Sequence, residues 1–207
     1  MKRRIFIAGI VGILIAFSFW AWRSDVSIWR FMPRAVAVVF GPKPVQIFSL
    51  VDHNGRSVTK ADFTGKYLLV FFGYTYCPDV CPTALNDMSE VLDELGASGN
   101  SIVPLFISVD PKRDTPEHLK SYVENFHPRF IGLTGTSAQI AAAAQSYKVR
   151  YIKIEDEDGD PETYYMGHSS KVFFVGPTGE LLISFSGSTQ PAEMKSKIAN
   201  LLSGEGR

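Results

Sequence analysis

The chain of 207 residues has little cysteine and little histidine: two cysteines and four histidines. Thiol chemistry therefore rests on one pair, Cys77 and Cys81, in Tyr76-Cys77-Pro78-Asp79-Val80-Cys81-Pro82. A disulfide between them would close a very small loop and remove little entropy from the unfolded chain, which argues against a purely structural bridge. Zinc sites want four ligands, and only three soft ones can be named. The chain also lacks an excess of charge, with 21 Lys+Arg against 21 Asp+Glu. No basic cluster with interleaved aromatics follows the N-terminus, so the electrostatic signature of a nucleic-acid binder is missing. Internal repeats and low-complexity tracts are absent too. The length suits one globular domain with a sizeable core and a short extension.

The extension is the N-terminus. Met1-Lys2-Arg3-Arg4 is basic, and Ile5 to Trp22 follow with no charged residue over 18 positions. This is about the minimum length for a spanning helix. A cleaved signal peptide is the competing reading, but its best cleavage candidate, Ala16-Phe17-Ser18, is followed by bulky Phe19-Trp20. Residues 1–23 thus read as an N-terminal transmembrane helix that stays attached. Trp20, Trp22 and Trp29 suit a membrane–water interface. The basic cluster ahead of the span places the N-terminus in the cytoplasm and exports the rest. The span begins too early for an organellar transit peptide, which points to a bacterial inner membrane with the C-terminal domain in the periplasm. Residues 24–44 read as a linker and 45–207 as the folded domain.

Within the domain, Gln46 to Val51 and Arg56 to Val58 read as a hairpin across Asp52-His53-Asn54-Gly55. Tyr67 to Tyr74 and Ile102 to Val109 are continuous apolar runs, the pattern of strands buried on both faces. Pro82-Thr83 opens a helix to about Ala97, and Pro82 suits the first turn. Thr115-Pro116 caps and starts another helix to about Phe126. Ser137 to Tyr147 is helical, Val149 to Ile154 is a strand, and Asp156 to Pro161 is an acidic loop that does not match the spacing of an EF-hand. Lys171 to Val175 and Glu180 to Phe185 form a second hairpin, and Gln190 to Leu202 closes the chain as a helix. The layout is α/β, a thioredoxin-like fold with a central mixed β-sheet.

The cysteines leave the end of the first central strand and enter a helix N-terminus, the edge where ligands bind in such sheets. The positive end of the helix favours thiolate, which is both nucleophile and soft-metal ligand. Thioredoxin-type redox motifs use Cys-x-x-Cys; here one more residue intervenes, and a metal bridges the wider gap with less distortion than a disulfide. Among the histidines, His53, His118 and His127 read as solvated surface groups. His168, in the turn Gly167-His168-Ser169-Ser170, precedes the strand from Lys171. In a thioredoxin fold that loop faces the cysteines and usually holds a cis-proline; here it holds an imidazole. Asp79 reads as the helix cap.

These motifs resemble the Sco/SenC family of copper-binding proteins required for cytochrome c oxidase assembly. The likeness runs from about Gln46 to Leu202. It rests on Gly73-Tyr74-Thr75-Tyr76-Cys77-Pro78-Asp79-Val80-Cys81-Pro82, on Ser108-Val109-Asp110-Pro111-Lys112-Arg113-Asp114-Thr115-Pro116, on Gly167-His168-Ser169 and on Gly176-Pro177-Thr178-Gly179. The resemblance implies that Cys77, Cys81 and His168 bind one copper ion, Cu(I) or Cu(II), and that the client is the dinuclear copper centre of oxidase subunit II. Tyr76 stands where many relatives have His, and Gly167 where an acidic residue often precedes the ligand. Asp110 and Asp114 are explained by turn and helix-start chemistry and stay outside the expected site. Three roles remain open: a copper chaperone, a thiol–disulfide oxidoreductase using Cys77 and Cys81 on the same client, and a peroxidase or redox sensor. No catalytic residue beyond the two thiols is assigned.

Overall fold

The two continuous apolar runs form the centre of the molecule. In the computed structural model, residues 49–155 and 164–204 are described. The expected membrane span, the linker and most of the acidic loop lie outside them. No helix among the described residues is long and apolar enough to cross a membrane.

Among the described residues, nine strands and four α-helices follow one another: β1 (Ser49–Asp52), β2 (Ser57–Thr59), β3 (Tyr67–Gly73), α1 (Val80–Leu95), β4 (Ile102–Ser108), α2 (Pro116–Val123), β5 (Ile131–Thr134), α3 (Ser137–Ser146), β6 (Tyr151–Glu155), β7 (Tyr164–His168), β8 (Val172–Val175), β9 (Leu181–Phe185) and α4 (Pro191–Ser203). Seven strands make one sheet in the order β2-β1-β5-β4-β3-β8-β9, and β6 and β7 form a separate two-stranded ribbon. β3 runs parallel to β4 and β4 to β5, whereas β1–β5, β3–β8 and β8–β9 are antiparallel. The sheet is therefore mixed, and the fold is the thioredoxin-like α/β arrangement expected.

β3 has no polar position because both of its faces are covered. Phe71 stacks with Phe106 of β4, while Phe72 points the other way, against Tyr147 and Phe173. Successive side chains alternate faces, so a strand packed on both sides needs apolar residues throughout. Burying each such ring contributes about 1.5–3 kcal/mol. α1 turns Leu85, Met88, Val91, Leu92 and Leu95 inward, as its spacing indicates, and packs against α4.

The first hairpin forms as expected. Gly55 takes a positive φ of 78°, and the buried Asp52 carboxylate accepts the Asn54 and Arg56 N–H groups at 2.8 and 2.9 Å. His53 is not a solvated group: its Nδ1 accepts the Gly132 N–H at 3.0 Å and ties the hairpin to β5. His127 is likewise held, accepting the Arg129 N–H at 3.1 Å, while His118 is exposed. Two strands differ from the sequence reading. β5 falls where no element was assigned, and β7 occupies the segment read as a turn at His168. β5 is four residues long with a glycine inside, too short to show a period. β7 carries Tyr, Met, Gly and His with no strict alternation, and it is recognised only through its pairing with β6.

Candidate metal centre

β3 delivers the chain to the site. It ends at Gly73, whose carbonyl accepts the Val109 N–H at 2.8 Å and fastens the base of the cysteine loop to the end of β4. A Cβ at Gly73 would lie 2.7 Å from Cys81 Sγ and 2.8 Å from the Phe106 ring. Only a residue without a side chain lets the second cysteine rest against the strand.

The loop then tightens, with the Cys77 N–H donating to the Tyr74 carbonyl at 3.3 Å. α1 begins at Val80, two residues ahead of the expected start, so Pro82 is its third residue and still falls within the first turn. Asp79 stands at the N-cap position but makes no capping hydrogen bond with its side chain. Its carbonyl accepts the Thr83 N–H at 3.2 Å, and the free N–H of Cys81 points to Cys77 Sγ at 3.4 Å. The sulfur of Cys77 thus takes the place that the aspartate was expected to fill.

His168 arrives from the other side as the last residue of β7, opposite Tyr151 of β6. Its Nδ1 is 3.2 Å from the Ser169 carbonyl and its Nε2 is 3.4 Å from Cys81 Sγ. A carbonyl only accepts, so we assign the proton to Nδ1, which leaves the Nε2 lone pair facing the cysteines. The rings of Phe71 and Tyr74 meet the imidazole edge-on, each at 5.9 Å, and fix its plane.

The three side chains come together: one ligand atom from each of Cys77, Cys81 and His168 lies within 4.8 Å of the others. Both cysteines are free thiols; Cys81 is fully buried and Cys77 half-buried. The electrostatics differ from the sequence expectation. Cys81 sits at the positive end of α1, yet its thiol is pushed well above the ordinary value, first by burial and then by the neighbouring Cys77. Desolvation outweighs the helix here. Burial also lowers the His168 pKa, with the Ser169 hydrogen bond opposing. In the metal-free protein at neutral pH, Cys81 is therefore a protonated thiol and His168 a neutral imidazole.

Of the other residues, His53, His118 and His127 lie outside the cluster. Tyr76 is 52% exposed and stacks on His118 at 5.4 Å instead of facing the ligands. Gly167 faces the ribbon's apolar side, where an added Cβ would meet Ile154 and Ile152 at 3.2 and 3.3 Å. Asp110 and Asp114, set aside in the sequence, are buried beside the cysteine loop. Their place in the second motif, directly after the central strand β4, was the available signal, and turn chemistry masked it.

The comparisons agree with this arrangement. The SCO1/SenC family model matches residues 40–203. An SCO2-like protein of Rickettsia conorii is 41% identical over 153 residues, covering 74% of each chain. The mitochondrial SCO2 homolog of Homo sapiens is 36% identical over 196 residues, 93% of this chain and 72% of its own. Among solved structures, Arabidopsis thaliana ScoI with copper bound superimposes with a TM-score of 0.72 at 35% identity, covering 77% of this chain and 98% of its own. Bradyrhizobium japonicum ScoI with copper bound gives 0.67 at 40% identity, over 75% and 97%. A family match that spans the cysteine loop, the second motif and the strand bearing His168, on a fold shared with these structures, places this chain in the SCO1/SenC family.

Proposed function

We propose that the chain is a copper carrier that holds one copper ion through Cys77, Cys81 and His168 and serves assembly of the dinuclear copper centre on cytochrome c oxidase subunit II. One observation carries this reading: three soft donors, brought from segments 87 residues apart, meet within 4.8 Å. The donor set suits copper. Two sulfurs and one imidazole are what Cu(I) accepts at low coordination number, and no fourth ligand for zinc joins them among the described residues. The copper-bound relatives support the same choice. Copper is cargo here, and the chain's part is to strip its water and present it to softer or more numerous ligands. Cys81 gives up its proton to bind, His168 offers Nε2 without one, and half-buried Cys77 is the ligand an incoming thiol can reach. The client comes from the family resemblance. The basic start and the charge-free run of residues 5–22 support an anchor in a bacterial inner membrane with the domain in the periplasm.

Titration of the purified protein tests the ligand assignment, with Cu(I) under anaerobic, reducing conditions and, in parallel, with Cu(II) added without reductant to the reduced thiols. One Cu(I) per chain and a thiolate-to-Cu(II) charge-transfer band are expected for the wild type, both lost in His168→Ala. Full-strength stoichiometric binding by that variant would sink the assignment.

The cysteine geometry favours a second reading. One thiol is accessible and its neighbour buried, the arrangement of an attacking and a resolving thiol. Cys77 would attack a client disulfide, Cys81 would displace it, and the client would leave with both thiols reduced while a Cys77–Cys81 disulfide remains. This reading requires His168→Ala to support oxidase assembly in cells and each cysteine substitution to abolish it.

A further inference from the structure

Arg113 and Asp114 belong to neither half of the ligand set, yet Asp114 reaches the cysteine half and Arg113 is bonded to the histidine half while its ring contacts touch the other. Asp114 is fully buried and takes three hydrogen bonds: the Thr75 hydroxyl at 2.6 Å, the Thr75 N–H at 3.1 Å and the Ser108 hydroxyl at 2.5 Å. Thr75 lies two residues before Cys77, so this carboxylate holds the cysteine loop by its main chain to the end of β4. A buried carboxylate that lost these donors would be strongly penalised.

Arg113 works on the other half. Its Nε donates to Asp110, and its Nη1 to the Tyr164 carbonyl at 3.1 Å. The guanidinium lies 3.6 Å from the centre of the Tyr164 ring, and the Tyr164 hydroxyl donates to Asp110 at 2.9 Å. Tyr164 begins β7 and His168 ends it. The same guanidinium packs over Tyr76, 4.6 Å away, and Tyr74, 5.7 Å away, in the cysteine loop. Its Nη2 is buried with no hydrogen-bond partner, so ring faces set the position of that arm. The local turn does not need these side chains, because the Asp110 carbonyl already accepts the N–H groups of Arg113 and Asp114 at 3.2 and 3.0 Å.

We propose that Arg113 and Asp114 are positioning residues that set the separation of the two ligand halves, Arg113 through Tyr164 and the strand bearing His168, Asp114 through Thr75 and the loop bearing Cys77. The proposal rests on the copper reading above. Their actions differ, so a purely structural role can be told apart from a positioning one.

The test is Cu(I) affinity of the full chain, by anaerobic chelator competition, for Arg113→Gln, Arg113→Lys, Tyr164→Phe and Asp114→Asn, each with His168 present and with His168→Ala. Removing a group that orients a ligand costs about 10–100-fold in affinity. Arg113→Gln is expected to lose that much when His168 is present and clearly less when it is absent, where only its ring contacts with Tyr74 and Tyr76 remain to be lost. Arg113→Lys, which keeps the charge but lacks the fork, recovers part of the loss. Asp114→Asn is expected to lose the same factor in both backgrounds. No loss for Arg113→Gln, or an equal loss in both backgrounds, overturns the assignment. Should Arg113→Gln lose its cooperative thermal transition, Tyr164→Phe carries the comparison, because it removes one hydroxyl and keeps the ring. A copper-free readout separates this idea from the copper reading: imidazole nitrogen NMR of His168. The Nδ1-protonated tautomer is expected in the wild type and in Asp114→Asn, and a tautomer mixture in Arg113→Gln. An unchanged tautomer in Arg113→Gln refutes the positioning role even if copper binds. A wild type without His168-dependent copper binding refutes the copper reading while the NMR comparison stands.

Discussion

Copper affinity should rise with pH through Cys81, and the rise should continue past the point where an ordinary thiol has finished ionising. Burial pushes the Cys81 thiol up, so the metal-free protein keeps its proton there throughout the usual working range. Binding must release that proton. Each pH unit below the thiol pKa then adds about 1.4 kcal/mol, a factor of ten, to the apparent affinity. Between pH 7.5 and 9.5 the Cys81 proton alone accounts for about 100-fold, or about 2.7 kcal/mol. An exposed thiol with a pKa of about 8.5 would flatten midway through this interval. His168 adds nothing to the slope, since its depressed pKa leaves it neutral here. The assay is anaerobic Cu(I) competition against a chelator of known protonation, with wild type beside Cys81→Ala. Because Cys77 is a thiol ligand in both proteins, the informative quantity is the difference in log affinity between wild type and Cys81→Ala, which should rise with a slope of one across this interval and show no bend near pH 8.5. A bend in that difference, or equal slopes in the two proteins, would refute the claim that burial dominates the helix at Cys81.

The same shift acts on folding. A thiol whose pKa is raised in the folded state stabilises the metal-free protein below the unfolded value of about 8.5, and that contribution is lost as pH rises above it; thermal melts should show the metal-free protein weakening above pH 9 and the copper-loaded protein weakening less. Gly73→Ala drives a methyl group into Cys81 Sγ and the Phe106 ring, 2.7 and 2.8 Å away. It should cost about 1–3 kcal/mol in urea unfolding and displace Cys81, lowering copper affinity as well; an unaffected affinity would show that the loop yields instead. His53→Ala leaves the Gly132 N–H without its acceptor. A loss of about 1–3 kcal/mol is expected with copper affinity intact, and a neutral result by urea unfolding would place His53 with the solvated residues after all.

The central strands, the helices and the three ligand candidates were legible because each has a local signal. β3 and β4 are unbroken apolar runs, α1 shows a repeating inward face, and Cys77, Cys81 and His168 stand out by scarcity and context. What escaped lacked such a signal. The β7 strand is held by its partner β6 and by Arg113 against Tyr164, and neither contact is visible in Tyr-Tyr-Met-Gly-His. Asp79 was the obvious cap by residue type, but its backbone, at φ −139° and ψ −67°, departs from extended capping geometry and its side chain makes no cap hydrogen bond. The Cys81 pKa could not be read from position because helix polarity and burial act in opposite directions, and only the packing against Gly73 decides between them. Asp114 looked like turn chemistry because its partners, Thr75 and Ser108, are brought to it by tertiary structure alone.

His168 stands on a ribbon that shares no strand pairing with the seven-stranded sheet, whereas both cysteines are rooted in that sheet through β3 and α1. The ladder that holds the domain together is thus not the one that completes the donor set. Drawing the imidazole back would break none of the main sheet's ladder bonds, and the resistance would come from a few side chains and the Ser169–Arg150 link beyond the strand end. Opening the donor set and unfolding the protein are separate events with separate costs, so a site built this way can open while the domain stays folded.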